Sequence, residues 1–285
     1  MFERWKIPLM LSPALLIIFG LFIGGLALGL VGSFGYMPLI GRDEINLDAY
    51  RKILSSESFF RSFLLTFHIA FTSTIIASVL ALGAALILRR SFLGRSVINF
   101  LFQINLTVPH LVGAVGILYL FSQSGFFARL AYDFSLITKP SEFPAMIFDP
   151  LAIGIILQYV WKEVPFIALI LLANMQTLGR DYEAVAHSLG ASRWQSFRHV
   201  LLPLLMPGLL TAGMIVFAFT FGAYEIPALL GQNYPAALPV LAYQSFTNVD
   251  LNARPEALAM AMIIALLSGV MIYGYARFAR RYIRK

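Results

Sequence analysis

The sequence predicts an all-α integral membrane protein, six transmembrane helices with a polar elbow of two short helices on the cytoplasmic face. Three observations predict it. Hydrophobic residues make up 59% of the 285 and charged residues only 12%, with mean hydropathy +0.80. So little polarity cannot cover the surface of a water-soluble fold. Six apolar runs each approach or exceed the roughly 20 residues that cross a hydrocarbon core. Between the fourth and fifth lies a polar stretch, DYEAVAHSLGASRWQSFRHVLLP at 181–203, that has helix-capping residues on both sides of a glycine.

The expected spans are 8–33, 62–88, 97–122, 151–176, 204–227 and 256–276. The first follows the charged start MFERWK. Its apolar run is about twice a signal-peptide h-region and no A-x-A cleavage pattern closes it, so it is expected to be a retained helix. No alternating ten-residue pattern recurs, which argues against a transmembrane barrel. The intervening outer loops, 34–61, 123–150 and 228–255, contain two amphipathic pieces, LDAYRKIL and FFARLAYDF. These fit helices that lie in the interface or cap the bundle, or that meet a partner outside.

Lysine and arginine set the orientation. With the N-terminus inside, 13 of the 21 fall in cytoplasmic segments, among them Arg89, Arg90 and Arg95, 7 fall outside, and Lys162 lies within a span. Both termini are therefore expected in the cytoplasm. The net charge of +7 reflects this topology, and nucleic acid is not an expected partner. The chain has no cysteine, so it builds neither disulfides nor thiolate metal sites. No metal site is expected.

Charges inside a bilayer need a partner or a wet cavity. Lys162 and Glu163, in VWKEVPF, fall near the middle of the fourth span, about 100° apart on a helix. Tyr224 and Glu225, in FGAYEIP, fall near the outer end of the fifth. Two readings stand side by side: these residues line a solute path, or they lock helix to helix as buried ion pairs, Lys162 with Glu225 or with Glu163 of a second subunit. His68 and His110 are read as packed, hydrogen-bonded histidines, and Pro109, Pro165 and Pro207 as kinks.

The polar stretch reads as helix, glycine, helix. Asp181 is placed to cap the first helix, with Glu183 in its first turn. Gly190 supplies the left-handed conformation that ends a helix. Ser192-Arg-Trp-Gln195 fits a capping box, so a second short helix starts there, and Pro203 stops or redirects it on re-entry to the membrane. Trp194 and Phe197 beside arginines suit either lipid headgroups or a protein partner.

Here the sequence resembles the permease subunits of binding-protein-dependent ABC importers, whose cytoplasmic signature is E-A-A-x3-G-x9-I-x-L-P. Aligned on Gly190, Val200 takes the isoleucine position and Leu202-Pro203 the closing pair; LGAS, LLPLLMPGLLTAG and FGAYEIPALLG extend the likeness over at least 181–232. The signature glutamate falls on Ala184, with Glu183 one residue early. The resemblance implies one permease domain over 1–285 with a coupling-helix elbow at 181–203, in which Glu183, Ala184, Ala186, His187, Gly190, Ala191, Ser192 and Trp194 meet the ATPase. It implies a bacterial inner membrane, a second identical or homologous permease, two cytoplasmic ATPase subunits and an extracytoplasmic solute-binding protein. The chain carries no G-x-x-x-x-G-K-[ST] phosphate loop, so it is not expected to be an enzyme. ATP and Mg would sit on the partner ATPase, with no cofactor in this chain. The segments FGAYEIPALLG and LPVLAYQSF look most like the polyamine-type branch. The alternative functions are an ion-coupled secondary transporter using Lys162, Glu163 and Glu225, and a subunit with an assembly role alone.

Overall fold

The computed structural model describes residues 2–90, 92–178 and 181–283, and is all-helical, with no strand among the described residues. Six helical stretches are long and apolar enough to cross a membrane: Lys6–Ser33, Glu57–Leu88, His110–Asp133, Ile153–Leu178, Arg193–Gly222 and Leu251–Gly274. The chain divides into two compact units, Met1–Phe60 with Leu238–Leu266, and Arg61–Ala237 with Leu267–Lys285.

In the first unit α1 (Phe2–Ser33) is apolar on every side, and none of its most apolar stretch is buried by protein. A helix of that composition, uncovered by its own chain, suits the apolar interior of a bilayer. Only its end is packed. A Cβ on Gly32 would lie 2.6 Å from Leu258 Cδ1, so the missing side chain lets α1 approach the later helix closely. The segment LDAYRKIL forms α2 (Asp48–Leu54), which buries Ala49 and Ile53 as its amphipathic pattern predicts. Ser33 Oγ lies 2.8 Å from the Tyr50 hydroxyl, and Lys52 Nζ pairs with Glu256 at 2.5 Å.

The second unit surrounds one helix. Downstream of α3 (Glu57–Leu88) come α4 (Arg95–Thr107), α5 (His110–Phe121), α6 (Phe126–Asp133) and α7 (Ile153–Leu178). Then follow α8 (Asp181–Ser188), α9 (Arg193–Ser196), a π-turn at Phe197–Leu201, α10 (Leu202–Gly222) and α11 (Glu225–Leu230). Over half of the apolar window of α7 is buried, more than in any other span. Its flank Ile167, Ala168, Leu171 and Met175 packs with Ala77, Ala81, Ala85 and Leu88 of α3 and with Leu201, Leu205, Ala212 and Val216 of α10. The alanines recur every four residues, one helical face, and their small size lets backbones approach where no aqueous hydrophobic effect drives association. The amphipathic FFARLAYD forms α6 and buries Ala128. Asp149, 5% exposed, accepts from the backbone N–H of Leu151 and Ile153 and so starts α7.

The largest departures from the sequence reading fall in the third and fifth spans. The third span, expected as one helix over 97–122, is broken into α4 and α5 at Val108 and Pro109. Proline has no N–H and pushes its predecessor out of the helical region; Val108 is extended at φ −67, ψ 125. The fifth, expected over 204–227, begins at Arg193 and ends at Gly222. Pro203 does not stop the elbow's second helix: the π-turn, closed by the Leu202 N–H on Phe197 O, widens the backbone ahead of it and the chain stays helical from Arg193. Pro165 and Pro207 lie inside α7 and α10 without ending either.

Candidate functional site: an elbow and a charged cavity

The elbow turns on two capping motifs. Gly190 has φ +84; its N–H donates to His187 O and the Ala191 N–H to Ala186 O, both at 3.0 Å, which together make a Schellman cap on α8. His187 Nδ1 adds a bond to Ala191 O at 2.9 Å. Ser192 then opens α9 with a complete capping box, Ser192 N–H to Gln195 Oε1 at 2.8 Å and Gln195 N–H to Ser192 Oγ at 3.3 Å. Two caps on one short turn fix the angle between α8 and α9. Arg180 and the Asp181 side chain lie outside the described residues.

The faces of the elbow are unlike. Ala186, Ser196 and Leu201 are buried, and Phe197 packs on the cluster formed by α3, α7 and α10. Tyr182, Val185, Leu189 and Trp194 are 54%, 59%, 84% and 64% exposed, as apolar a set as any in the polar stretch. Ala184, His187, Gly190 and Ser192 are also exposed. Glu183 is not directed to this face. Its carboxylate accepts from both terminal nitrogens of the Arg89 guanidinium, Nη1 to Oε2 at 2.8 Å and Nη2 to Oε1 at 2.9 Å. Sequence reasoning placed Arg89 among the inside charges and missed this partner, which lies 94 positions further along the chain.

A cavity of about 380 Å³ lies in the second unit, lined by Leu106, His110, Lys162, Glu163, Phe166, Ile215, Val216 and Phe219. Lys162 is 4% exposed and holds no carboxylate: Nζ donates to Asn105 O at 2.6 Å and Val108 O at 2.7 Å. The physical reason is the break at Pro109. It denies Asn105 O the N–H four residues on, leaving it the Val108 N–H at 3.2 Å, and puts Val108 O outside both helices; an ammonium on α7 donates to both carbonyls. Gln158 Nε2 donates to His110 O in the first turn of α5 at 3.0 Å, and Asn105 Nδ2 returns a bond to Trp161 O at 3.2 Å. The expected pairing of Lys162 with Glu225 on the same chain is therefore not formed. Glu163, 4% exposed, accepts from Thr220 Oγ1 at 2.7 Å, while its Oε2 has no protein partner among the described residues.

His110 packs on Phe219 with ring centroids 5.0 Å apart, and His68 Nε2 donates to Leu151 O at 3.1 Å. Tyr224 and Glu225 are exposed at the head of α11 and do not line the cavity. The structure thus joins Lys162, Glu163 and His110 around the cavity, while Glu225 lies outside the lining yet close enough to act electrostatically on His110. Among the described residues no group of three or more His, Cys, Asp or Glu is placed to hold a metal ion.

Residues 74–284 match the family described as binding-protein-dependent transport system inner membrane component. The chain is 26% identical over 239 residues to a sulfate transport system permease protein of Escherichia coli, covering 82% of this chain and 83% of that one. A molybdenum transport system permease protein of Mycobacterium tuberculosis is 26% identical over 248 residues, 85% of this chain and 88% of its own. Among solved structures, a bacterial ABC transporter that imports the acidic polysaccharide alginate superposes with a TM-score of 0.81 at 18% identity, over 98% of this chain and 96% of that one. None of these three names a polyamine, and the polyamine branch read from FGAYEIPALLG gains no support. The matched family spans both the capped elbow and the cavity, and on that match the chain belongs to the binding-protein-dependent inner membrane components, the permease subunits of ABC importers.

Proposed function

We propose that residues 1–285 form one permease domain, half of a pathway that carries a small anionic solute into a bacterial cell, driven by a separate ATPase docked on 181–203. The observation that carries the reading is the doubly capped elbow with its exposed apolar face of Tyr182, Val185, Leu189 and Trp194. A rigid, shaped, partly apolar surface in an otherwise polar insert suits a protein groove, and two short caps hold it without a core of its own. In this reading two ATPase subunits bind ATP and Mg and close on each other. They move the elbows of this chain and of a second permease, identical or homologous, and tip the spans toward an extracytoplasmic binding protein. Both termini then lie in the cytoplasm.

The solute class is inferred from charge. Lys162 gives the wall of the membrane cavity a cation that an anionic solute can meet, beside the Glu163 carboxylate. Relatives named for sulfate and a structural neighbour named for an acidic polysaccharide point the same way. Lys162 and Glu163 are assigned to the path, with Tyr224 and Glu225 toward its outer mouth.

Vesicles that contain this permease pair test the function, and the ligand carried by the cognate binding protein tests the solute. Uptake that requires the added ATPase and ATP is expected. Uptake that instead follows an ion gradient would establish the secondary-transporter alternative. A neutral saccharide or a polyamine on the purified binding protein would overturn the anion assignment and leave the permease assignment intact.

A further inference from the structure

The Glu183 carboxylate, one residue early for the family signature, is fully engaged inside its own chain. Both oxygens accept from Arg89 in the parallel two-bond geometry that fixes direction as well as distance, and the side chains are only 27% and 22% exposed. Arg89 is the first residue after α3, and its N–H still donates to Ala85 O, so its backbone is held by that helix. α8 has little else to hold it. It is eight residues long, a length that is unstable alone, and among its residues with described side chains only Ala186 is buried. The second half of the elbow is anchored differently, because Phe197 and Leu201 pack into the apolar cluster of α3, α7 and α10.

We propose that Arg89 and Glu183 are a positioning pair that ties the first elbow helix to α3, so that displacement of the docked elbow is passed to α3 as well as to α10. The inference rests on the elbow being the ATPase docking surface. Two attachments make the elbow a lever: a push on Trp194 runs through α9 and the π-turn into α10, and a push on α8 runs through the fork into α3. With the fork cut, a push on α8 still reaches α10 through the capped turn but no longer reaches α3. The ATPase then meets the exposed Val185, Leu189 and Trp194, and the Glu183 charge is not one of its contacts.

The test uses the assembled transporter in vesicles, with three readouts: amount of inserted permease, affinity for the ATPase subunit, and ATP hydrolysed per solute moved. Glu183→Gln and Arg89→Gln are each expected to leave ATPase affinity within about threefold and to raise ATP consumed per solute about tenfold. The exchanged pair Arg89→Glu with Glu183→Arg is expected to restore the ratio to within about threefold of wild type. A Glu183→Gln variant that loses tenfold or more in ATPase affinity while Arg89→Gln does not would overturn the proposal, since the carboxylate would then touch the ATPase. So would unchanged coupling in both single variants. If the single variants fail to insert, the exchanged pair decides: restored insertion with coupled uptake supports the tie, and failure of either overturns it. Leu189→Asp separates this from the docking assignment itself, because an unchanged ATPase affinity in that variant removes the elbow as the docking surface whatever the fork does.

Discussion

At the scale of single residues, Lys162 illustrates how a buried charge is sustained in a membrane without an opposite charge. Its ammonium sits on Asn105 O and Val108 O, carbonyls beside the break at Pro109. The arrangement is cheaper than an isolated ion because each bond to a charged donor is about twice as strong as a neutral one. Lys162→Met removes the donor and keeps most of the volume. Val108 O left without the ammonium costs about 1–3 kcal/mol, while Asn105 O keeps the Val108 N–H, and the loss is offset in part by relief of the ammonium's own desolvation. The expected net loss is about 1 kcal/mol, read as a lower unfolding midpoint of the purified protein in detergent. A midpoint equal to wild type would show that these bonds do not hold the break. Uptake by the fraction that folds then reports on the path, because a structural lysine leaves transport per folded molecule unchanged and a path lysine abolishes it.

At the scale of elements, the elbow depends on backbone conformation at one position. A Cβ at Gly190 would meet nothing within 4 Å, so space does not require glycine there; φ +84 does. A β-branched residue in the left-handed region costs about 1–2 kcal/mol, whereas asparagine adopts it readily. Gly190→Val is therefore expected to weaken ATPase binding roughly tenfold by titration, and Gly190→Asn to leave it nearly unchanged. Ser192→Ala removes one half of the capping box and is expected to cost about 1 kcal/mol of local stability. Equal affinity of the valine and asparagine variants would separate the turn from docking. The break between α4 and α5 is an element-scale feature of the same kind, in which one proline opens the backbone and α7 bridges it with Lys162.

At the scale of the whole molecule, orientation follows from charge. Positive residues number 13 on the proposed cytoplasmic side against 7 on the other, counted over loops short enough for the bias to act. Reporters fused within 89–95 and after Lys285 are expected in the cytoplasm, and one within 236–250 on the far side. A cytoplasmic signal from the last would break the six-span topology. The bare sides of α1 belong to this scale too, since an apolar helix left uncovered by its own chain suits an apolar medium.

What the sequence determined by itself is what depends on local pattern. Span number follows from the length of apolar runs, the Gly190 turn from the absence of a Cβ, and the α9 start from the Ser192–Gln195 spacing, each set by residues within one or two turns of one another. Pro109 was legible as a kink for the same reason. What only the tertiary structure decided is which groups meet across the chain. Arg89 reaches Glu183 over 94 positions and Lys162 reaches Asn105 over 57. No periodicity records those separations, because they arise from the packing of α3, α7 and α10 on one apolar cluster. The carbonyls that take Lys162 are backbone groups, which every residue carries, so no side-chain pattern could mark them as its partners. The fate of Pro203 was decided in the same way: a local rule predicted a stop, and a π-turn that feeds Leu201 and Leu205 into the core kept the helix running.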